Sequence, residues 1–271
     1  LIELRDVWFK YEGTEDYALK GISLEIEKGV VVAILGPNGS GKSTLLRTLN
    51  GLIPHFYSGE MKGAVLVDGV DTRDVPISEL AKRVGLVFQN PERMFFSPTL
   101  LDELTFGPIN LGVDPEEAKE RAVGVARRLH LEHLLNRPPW NLSGGEMKRA
   151  SIAAVLTMET PYVALDEPTQ GQDVKTKEAL IEIVDDLRRE ERTVIVVSHD
   201  VEWLVDVSPD SVILLDDGRI VAVGSGEEIL TDVEIMRRCS LFPPICVQVA
   251  RRVGLPPKLT PSSLLSCILE R

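Results

Sequence analysis

Residues 36–43 read GPNGSGKS, a glycine-rich octet that ends in a lysine and a hydroxyl. Glycines at 36, 39 and 41 let a backbone wrap an anion with no Cβ in the way. Free N–H groups leading into a helix start are where a phosphate binds. In the spacing Gly36-x-x-x-x-Gly41-Lys42-Ser43, the lysine reaches β- and γ-phosphates and the Ser43 hydroxyl can ligate Mg²⁺. The chemistry predicted is nucleotide binding, with Gly36, Pro37, Asn38, Gly39, Ser40, Gly41, Lys42, Ser43 and Thr44 around the phosphates. A ligand-free glycine turn is the plain alternative; it leaves the strand before the octet and the helix after it unexplained.

Two acids are spaced to complete such a site. In Tyr162-Val-Ala-Leu-Asp166-Glu167 a short apolar run delivers Asp166 to a strand end, where it can hold Mg²⁺ directly or through water. Glu167 follows without a spacer and can deprotonate or orient an attacking water. A purely structural acid pair is the alternative. His199, after the run Thr193–Val197, can hydrogen-bond a γ-phosphate. Gln89, after Val84–Phe88, is placed to sense Mg²⁺ and the water. His55, His130 and His133 read as surface residues. A second glycine loop, LSGGEMKRA at 142–150, precedes another helix start. One nucleotide needs one such loop, so this second loop asks for a separate explanation.

The elements that must position these groups alternate strand and helix, which predicts an α/β fold with a mostly parallel sheet. Val30–Leu35 is a β-branched run of the kind buried on both faces. Alternation at Ile2, Leu4, Val7, Phe9 and at Ile22, Leu24, Ile26 predicts antiparallel strands around a turn at Gly13-Thr14. A helix starts at Thr44 and can end at Gly51. Asp114-Pro115-Glu116-Glu117 is a helix start, and Ala118, Ala122, Val125, Ala126 and Leu129 form its apolar face. This belongs to a helical segment, about 90–155, inserted between the halves of the core. One polar helix is expected over 227–238, and short helices over 239–271.

With 30 basic and 42 acidic residues the chain carries −12, which argues against nonspecific nucleic-acid binding. No apolar run approaches the roughly 18 residues of a membrane span, and no signal peptide is visible. Leu1 is not a methionine, which predicts a processed or truncated start. Cys239, Cys246 and Cys267 lack metal or redox spacing and read as reduced thiols.

In this order, Gly36–Ser43, Gln89, Leu142–Glu146, Asp166-Glu167, Asp173 and His199 resemble the motifs of the nucleotide-binding subunits of ATP-binding-cassette (ABC) transporters, over about residues 1–235. The resemblance implies a P-loop NTPase core, an antiparallel β subdomain, a helical signature subdomain and, at 236–271, a small helical extension that can contact a dimer partner. It also accounts for the second loop. Two subunits pack head to tail, and Ser143, Gly144, Gly145 and Asp173 of one face the ATP held by the other. Glu146 stands where the family usually has Gln. Tyr11 resembles the aromatic that stacks on adenine, with a strand-core aromatic as the alternative; Arg149 reads as support for the signature helix. Residues 51–60 and 84–113 resemble, more narrowly, the ATPases of energy-coupling-factor importers for vitamins or cobalt and nickel. That implies an integral membrane coupling subunit, a membrane substrate-binding subunit and a peripheral place on the cytoplasmic face of the membrane. Met94, Phe95 and Phe96 beside Arg93 then suit a docking surface, with core packing as the alternative. The rival function is a soluble cassette ATPase of iron–sulfur assembly or DNA repair.

Overall fold

The computed structural model describes residues 1–90 and 94–269, so Arg93 lies outside the described residues. Ten strands are formed by Ile2–Tyr11 (β1), Leu19–Ile26 (β2), Val31–Leu35 (β3), Gly59–Val67 (β4), Val70–Asp71 (β5), Val84–Val87 (β6), Tyr162–Asp166 (β7), Thr193–Val197 (β8), Ser211–Asp216 (β9) and Arg219–Gly224 (β10). They form two sheets, an antiparallel β2-β1-β4-β5 and a six-stranded β10-β9-β3-β8-β7-β6. In the larger sheet β9, β3, β8, β7 and β6 run parallel and only β10 is antiparallel.

Local sequence explains most of this. In β1 the apolar positions shift phase, from Ile2 and Leu4 to Val7 and Phe9, because a bulge with Asp6 at φ 47° inserts a residue there. Asp68-Gly69 joins β4 to β5 with both residues at positive φ, the two-residue turn that an Asp-Gly pair favours. All five residues of β3 are buried because both of its faces are covered. Val31, Ala33 and Leu35 enter the core under the helices, and Val32 and Ile34 enter the core shared with the antiparallel sheet. The strand β10 was not foreseen. As an edge strand it buries little, so its alternation is weak.

Twelve α-helical segments follow in chain order: Lys42–Leu49 (α1), Leu52–His55 (α2), Ile77–Leu80 (α3), Leu100–Asn110 (α4), Pro115–Arg128 (α5), Gly144–Leu156 (α6), Val174–Arg189 (α7), Val201–Val207 (α8), Gly226–Thr231 (α9), Val233–Arg238 (α10), Ile245–Arg252 (α11) and Pro261–Leu269 (α12). The α5 start is as read, with Asp114 accepting from the N–H groups of Glu116 and Glu117. The single helix expected over 227–238 is instead two, α9 and α10. Asp232 leaves the helical conformation (φ −78°, ψ 92°), and its carboxylate accepts from the N–H groups of Glu234 and Ile235. An aspartate gains more from capping a new helix than from continuing an old one. Helices α4 to α6 lie between β6 and β7 in the chain. Met236 and Cys239 join the core beneath the helices.

A polar knot at Asp68 helps tie the two sheets. The Tyr162 hydroxyl, on β7, donates to Asp68 Oδ1 at 2.7 Å, and Lys28 pairs with the same oxygen at 2.8 Å. Burial pushes the Asp68 carboxyl up, but hydrogen bonds from Lys28, Tyr162 and the chain's amino group outweigh it and hold the group well below the usual carboxylate range. A lowered folded pKa stabilises the fold above the unfolded value of about 3.8, and the contribution fades as pH falls through the folded value. Asp68→Asn should therefore lower stability in urea at pH 7, and by a smaller amount at pH 3. An equal difference at both pH values would remove Asp68 from this role.

Candidate functional site

At the end of β3 the chain must turn sharply beneath β9. A Cβ on Gly36 would lie 2.0 Å from the Leu215 carbonyl oxygen, and one on Gly41 would lie 2.6 Å from that of Ala18. Both glycines also sit at positive φ. The loop then enters α1, whose first turn has no side-chain cap and no acid. Its N–H groups are left for an incoming anion, and the helix dipole favours one. Lys42 Nζ donates to the carbonyls of Gly36 and Pro37, each at 2.8 Å. Burial pushes the Lys42 pKa down, and the nearby charges of Glu167 and Asp166 push it back up. The Ser40 hydroxyl is buried with no partner.

Three parallel strand ends bring the remaining groups. Asp166 closes β7, 5% exposed, and its Oδ1 has no hydrogen-bond partner. Burial raises its pKa, opposed by a hydrogen bond to Ser43 and by the charges of Lys148, Arg47 and Lys42. An orphaned carboxylate oxygen beside a hydroxyl is the oxygen donor set that a hard cation such as Mg²⁺ accepts, so Ser43 and Asp166 fit that ion. Gln89, exposed after β6, lines the same cavity. Its amide donates to Gln170 at 3.2 Å. Glu167 takes a left-handed backbone, φ 51°, that departs from the strand holding Asp166. Its Oε2 accepts from His199 Nδ1 at 2.8 Å and from the His199 N–H at 3.3 Å.

A cavity of about 440 Å³ collects Tyr11, Asn38, Gly39, Gly41, Lys42, Ser43, Thr44, Gln89, Asp166 and Glu167. Gly36 and Pro37 meet it through their carbonyls on Lys42. Tyr11 is half-buried. Its hydroxyl is held by Arg47 at 2.9 Å and Thr44 at 3.1 Å, and its ring packs edge-on against Phe9. His199 reaches the site through Glu167 and otherwise faces a second cavity of about 670 Å³ under the C-terminal segment.

Ser143, Gly144, Gly145 and Asp173 do not line the ATP-type cavity. Ser143 caps α6, and Glu146 completes a capping box, its carboxylate accepting from the Ser143 N–H at 2.7 Å and from the hydroxyl at 2.8 Å. Asp173 caps α7 by accepting from the Thr176 N–H at 2.8 Å. Arg149 donates to the Thr176 hydroxyl at 3.2 Å, which joins the two helix starts. His130 and His133 are exposed as read; His55 is exposed too but its Nε2 lies 2.7 Å from the Thr72 carbonyl. Two residues near the site were missed. Arg47 orients Tyr11. Lys148, 3% exposed, bonds the backbone at Gln89 and Asp166. The signal for Lys148 was available: with Ile152 and Val155 it keeps helical spacing on the buried face of α6.

Residues 19–170 match the family model described as ABC transporter. A protein of Methanothermobacter thermautotrophicus named energy-coupling factor transporter ATP-binding protein EcfA is 40% identical over 258 residues, 94% of this chain and 80% of its own. Relatives from Pyrococcus at 41–42% identity carry names that say no more than ABC transporter ATP-binding protein. Among solved structures, cbiO1 of Clostridium perfringens, part of the ABC transporter complex cbiONQ, is 30% identical with a TM-score of 0.73, covering 94% of this chain and 98% of its own. A dimeric ATP-binding cassette in a post-hydrolysis state with ADP and Pi has the same identity and TM-score, covering 83% of this chain and 99% of its own.

Lys42 gives the sharpest test of the cavity. Lys42→Met removes a partly desolvated charge whose present bonds are only to loop carbonyls. ATP affinity in equilibrium titration should fall ~100-fold, about 2.7 kcal/mol, while the urea midpoint stays close to that of the parent. Retained affinity would move the phosphate site elsewhere.

Proposed function

Because the chain belongs to the ABC transporter family, whose cassettes hydrolyse ATP, we propose that it is the ATPase of an energy-coupling-factor importer and works as one of two copies or paralogues that share each nucleotide. The observation that carries the shared site is the state of the signature glycines. Gly144 and Gly145 open α6 without positive φ. A Cβ on Gly144 would meet nothing within 4 Å, and one on Gly145 would touch only Gln172 at 3.8 Å and Arg149 and Gln172 at 4.0 Å. Folding therefore does not require glycine at either position, and alanine would favour the helix by up to about 1 kcal/mol. Bare amides at an exposed helix start serve something that approaches closely from outside the chain. The γ-phosphate held by a partner's loop fits that need.

In this reading Tyr11 stacks on the adenine, the amides of 36–44 and Lys42 hold the phosphates, and Ser143, Gly144, Gly145 and Asp173 of the second cassette cover the γ-phosphate and exclude water. Ser43, Asp166 and Gln89 would hold Mg²⁺, which would supply neutralisation of the phosphate charge. Glu167 takes a proton from the attacking water. The new O–P bond forms as the bond to the β-phosphate oxygen breaks, leaving ADP and phosphate. His199 orients the Glu167 carboxylate through Nδ1. Loss of the bridging charge then lets the two cassettes part.

The importer part of the reading rests on the EcfA and cbiO1 likenesses and on one surface. Past Gln89, Phe96 is 61% exposed and meets the exposed Phe106 edge to face at 4.7 Å, with Ile109 exposed on the same helix as Phe106. Met94 and Phe95 are half-buried. An exposed aromatic pair suits an apolar helix of a membrane subunit. No described helix of this chain is long and apolar enough to cross a membrane itself. Co-purification from membranes with integral subunits tests this part; a soluble partner in their place overturns it.

Two variants test the chemistry. Glu167→Gln should bind ATP, turn over at least ~100-fold more slowly, and collect as an ATP-dependent dimer in light scattering; wild-type turnover would sink the assignment of the base. Gly144→Ala should melt no lower than the parent and bind ATP as the lone chain does, yet lose most of its hydrolysis. If it hydrolyses normally, α6 does not close on a partner's nucleotide.

A further inference from the structure

Lys148 is buried in the middle of the machinery, and nothing in the proposed reaction uses it. Its three ammonium hydrogens have three acceptors, the carbonyl oxygens of Phe88 at 3.0 Å, Gln89 at 3.1 Å and Asp166 at 3.1 Å. These carbonyls lie just past the end of β6 and at the end of β7, neighbouring parallel strands in which Val87 lies opposite Leu165. They carry, on their own residues, the Gln89 and Asp166 side chains of the cation site. Lys148 itself stands one helical turn after Gly144 on α6. One side chain thus joins the strand ends of a chain's own nucleotide site to the helix whose start faces the other site.

Stability alone does not explain a lysine here. Lys148 is 3% exposed, so its ammonium is taken out of water, and that desolvation is offset only by the three carbonyls it holds. What the ammonium adds is direction. Its three N–H bonds diverge, so a shift of any one carbonyl is passed to the helix or breaks a bond. We propose that Lys148 is a positioning residue that couples the strand ends at Gln89 and Asp166 to the signature loop of the same chain, so that the state of one nucleotide site sets the readiness of the loop offered to the other. This rests on the two-cassette reading given above.

The test compares Lys148→Met with Lys148→Arg in the full chain, reading kcat, KM and equilibrium ATP binding. Lys148→Met should lower kcat ~10-fold or more with KM and ATP binding within about twofold, and Lys148→Arg, which keeps the donors, should recover most of the rate. Combined with Glu167→Gln, Lys148→Met should also weaken the ATP-dependent dimer. Should Lys148→Met fail to fold, Lys148→Gln, with two donors on a shorter stem, carries the same comparison. Unchanged kcat overturns the proposal. So does a parallel loss of ATP binding and melting temperature in both Met and Arg variants, the behaviour of a pin with a structural role only. A Glu167→Gln chain that stays monomeric with ATP strikes the two-cassette reading instead, and is told apart because it needs no change at Lys148.

Discussion

Parallel pairing of β3, β8, β7 and β6 governs everything at the site, because it puts the C-terminal ends of four strands on one edge of a sheet. Every one of these strand ends releases part of the site: the phosphate loop after β3, Gln89 after β6, Asp166 and Glu167 at β7, and His199 after β8. The strands are buried on both faces, so their positions are set by packing and do not drift. A slip of one residue in β7 would turn Asp166 to the other face of the sheet.

On that edge the protein keeps polar groups in a state that packing alone would not choose. Asp166 Oδ1 and the Ser40 hydroxyl are buried without partners, and Lys42 spends its bonds on the loop's own carbonyls. Each costs free energy in the isolated chain. In the proposed function a magnesium nucleotide would bring the missing charge and acceptors, so that the same groups that weigh on the free protein would become the source of affinity. The pocket is prepared before its ligand arrives, which limits the reorganisation that binding must offset.

The signature helix shows the opposite economy. Its start is exposed, capped by Ser143 and Glu146, and opened by two glycines with room around them. Among the described residues, no side chain consumes the two glycine amides. In the proposed function the buried, poised strand ends and this exposed helix start would be the two halves of one site, shared across a seam between two molecules. Glu146, in the place of the family's usual Gln, holds the Ser143 hydroxyl by a charge-assisted bond in the free chain.

Local sequence determined the phosphate loop, the alternating strands, the Asp114 cap and the strand-end acids, because each is written in residues that are neighbours in the chain and follows from backbone stereochemistry and periodicity. The family resemblance could likewise be read from motif order. Two elements escaped the reading for reasons of competition and weak pattern. The helix expected over 227–238 broke at Asp232 because capping competed with continuation, and β10 went unseen because an edge strand buries too little to leave a pattern. Only the tertiary structure placed His199 against Glu167, Arg47 on Tyr11 and Lys148 beneath Gln89 and Asp166. Those contacts span 18 to 59 residues of chain wherever the partners are not near neighbours, and a hydrogen bond between such partners depends on how the sheet stacks them, which no local pattern encodes.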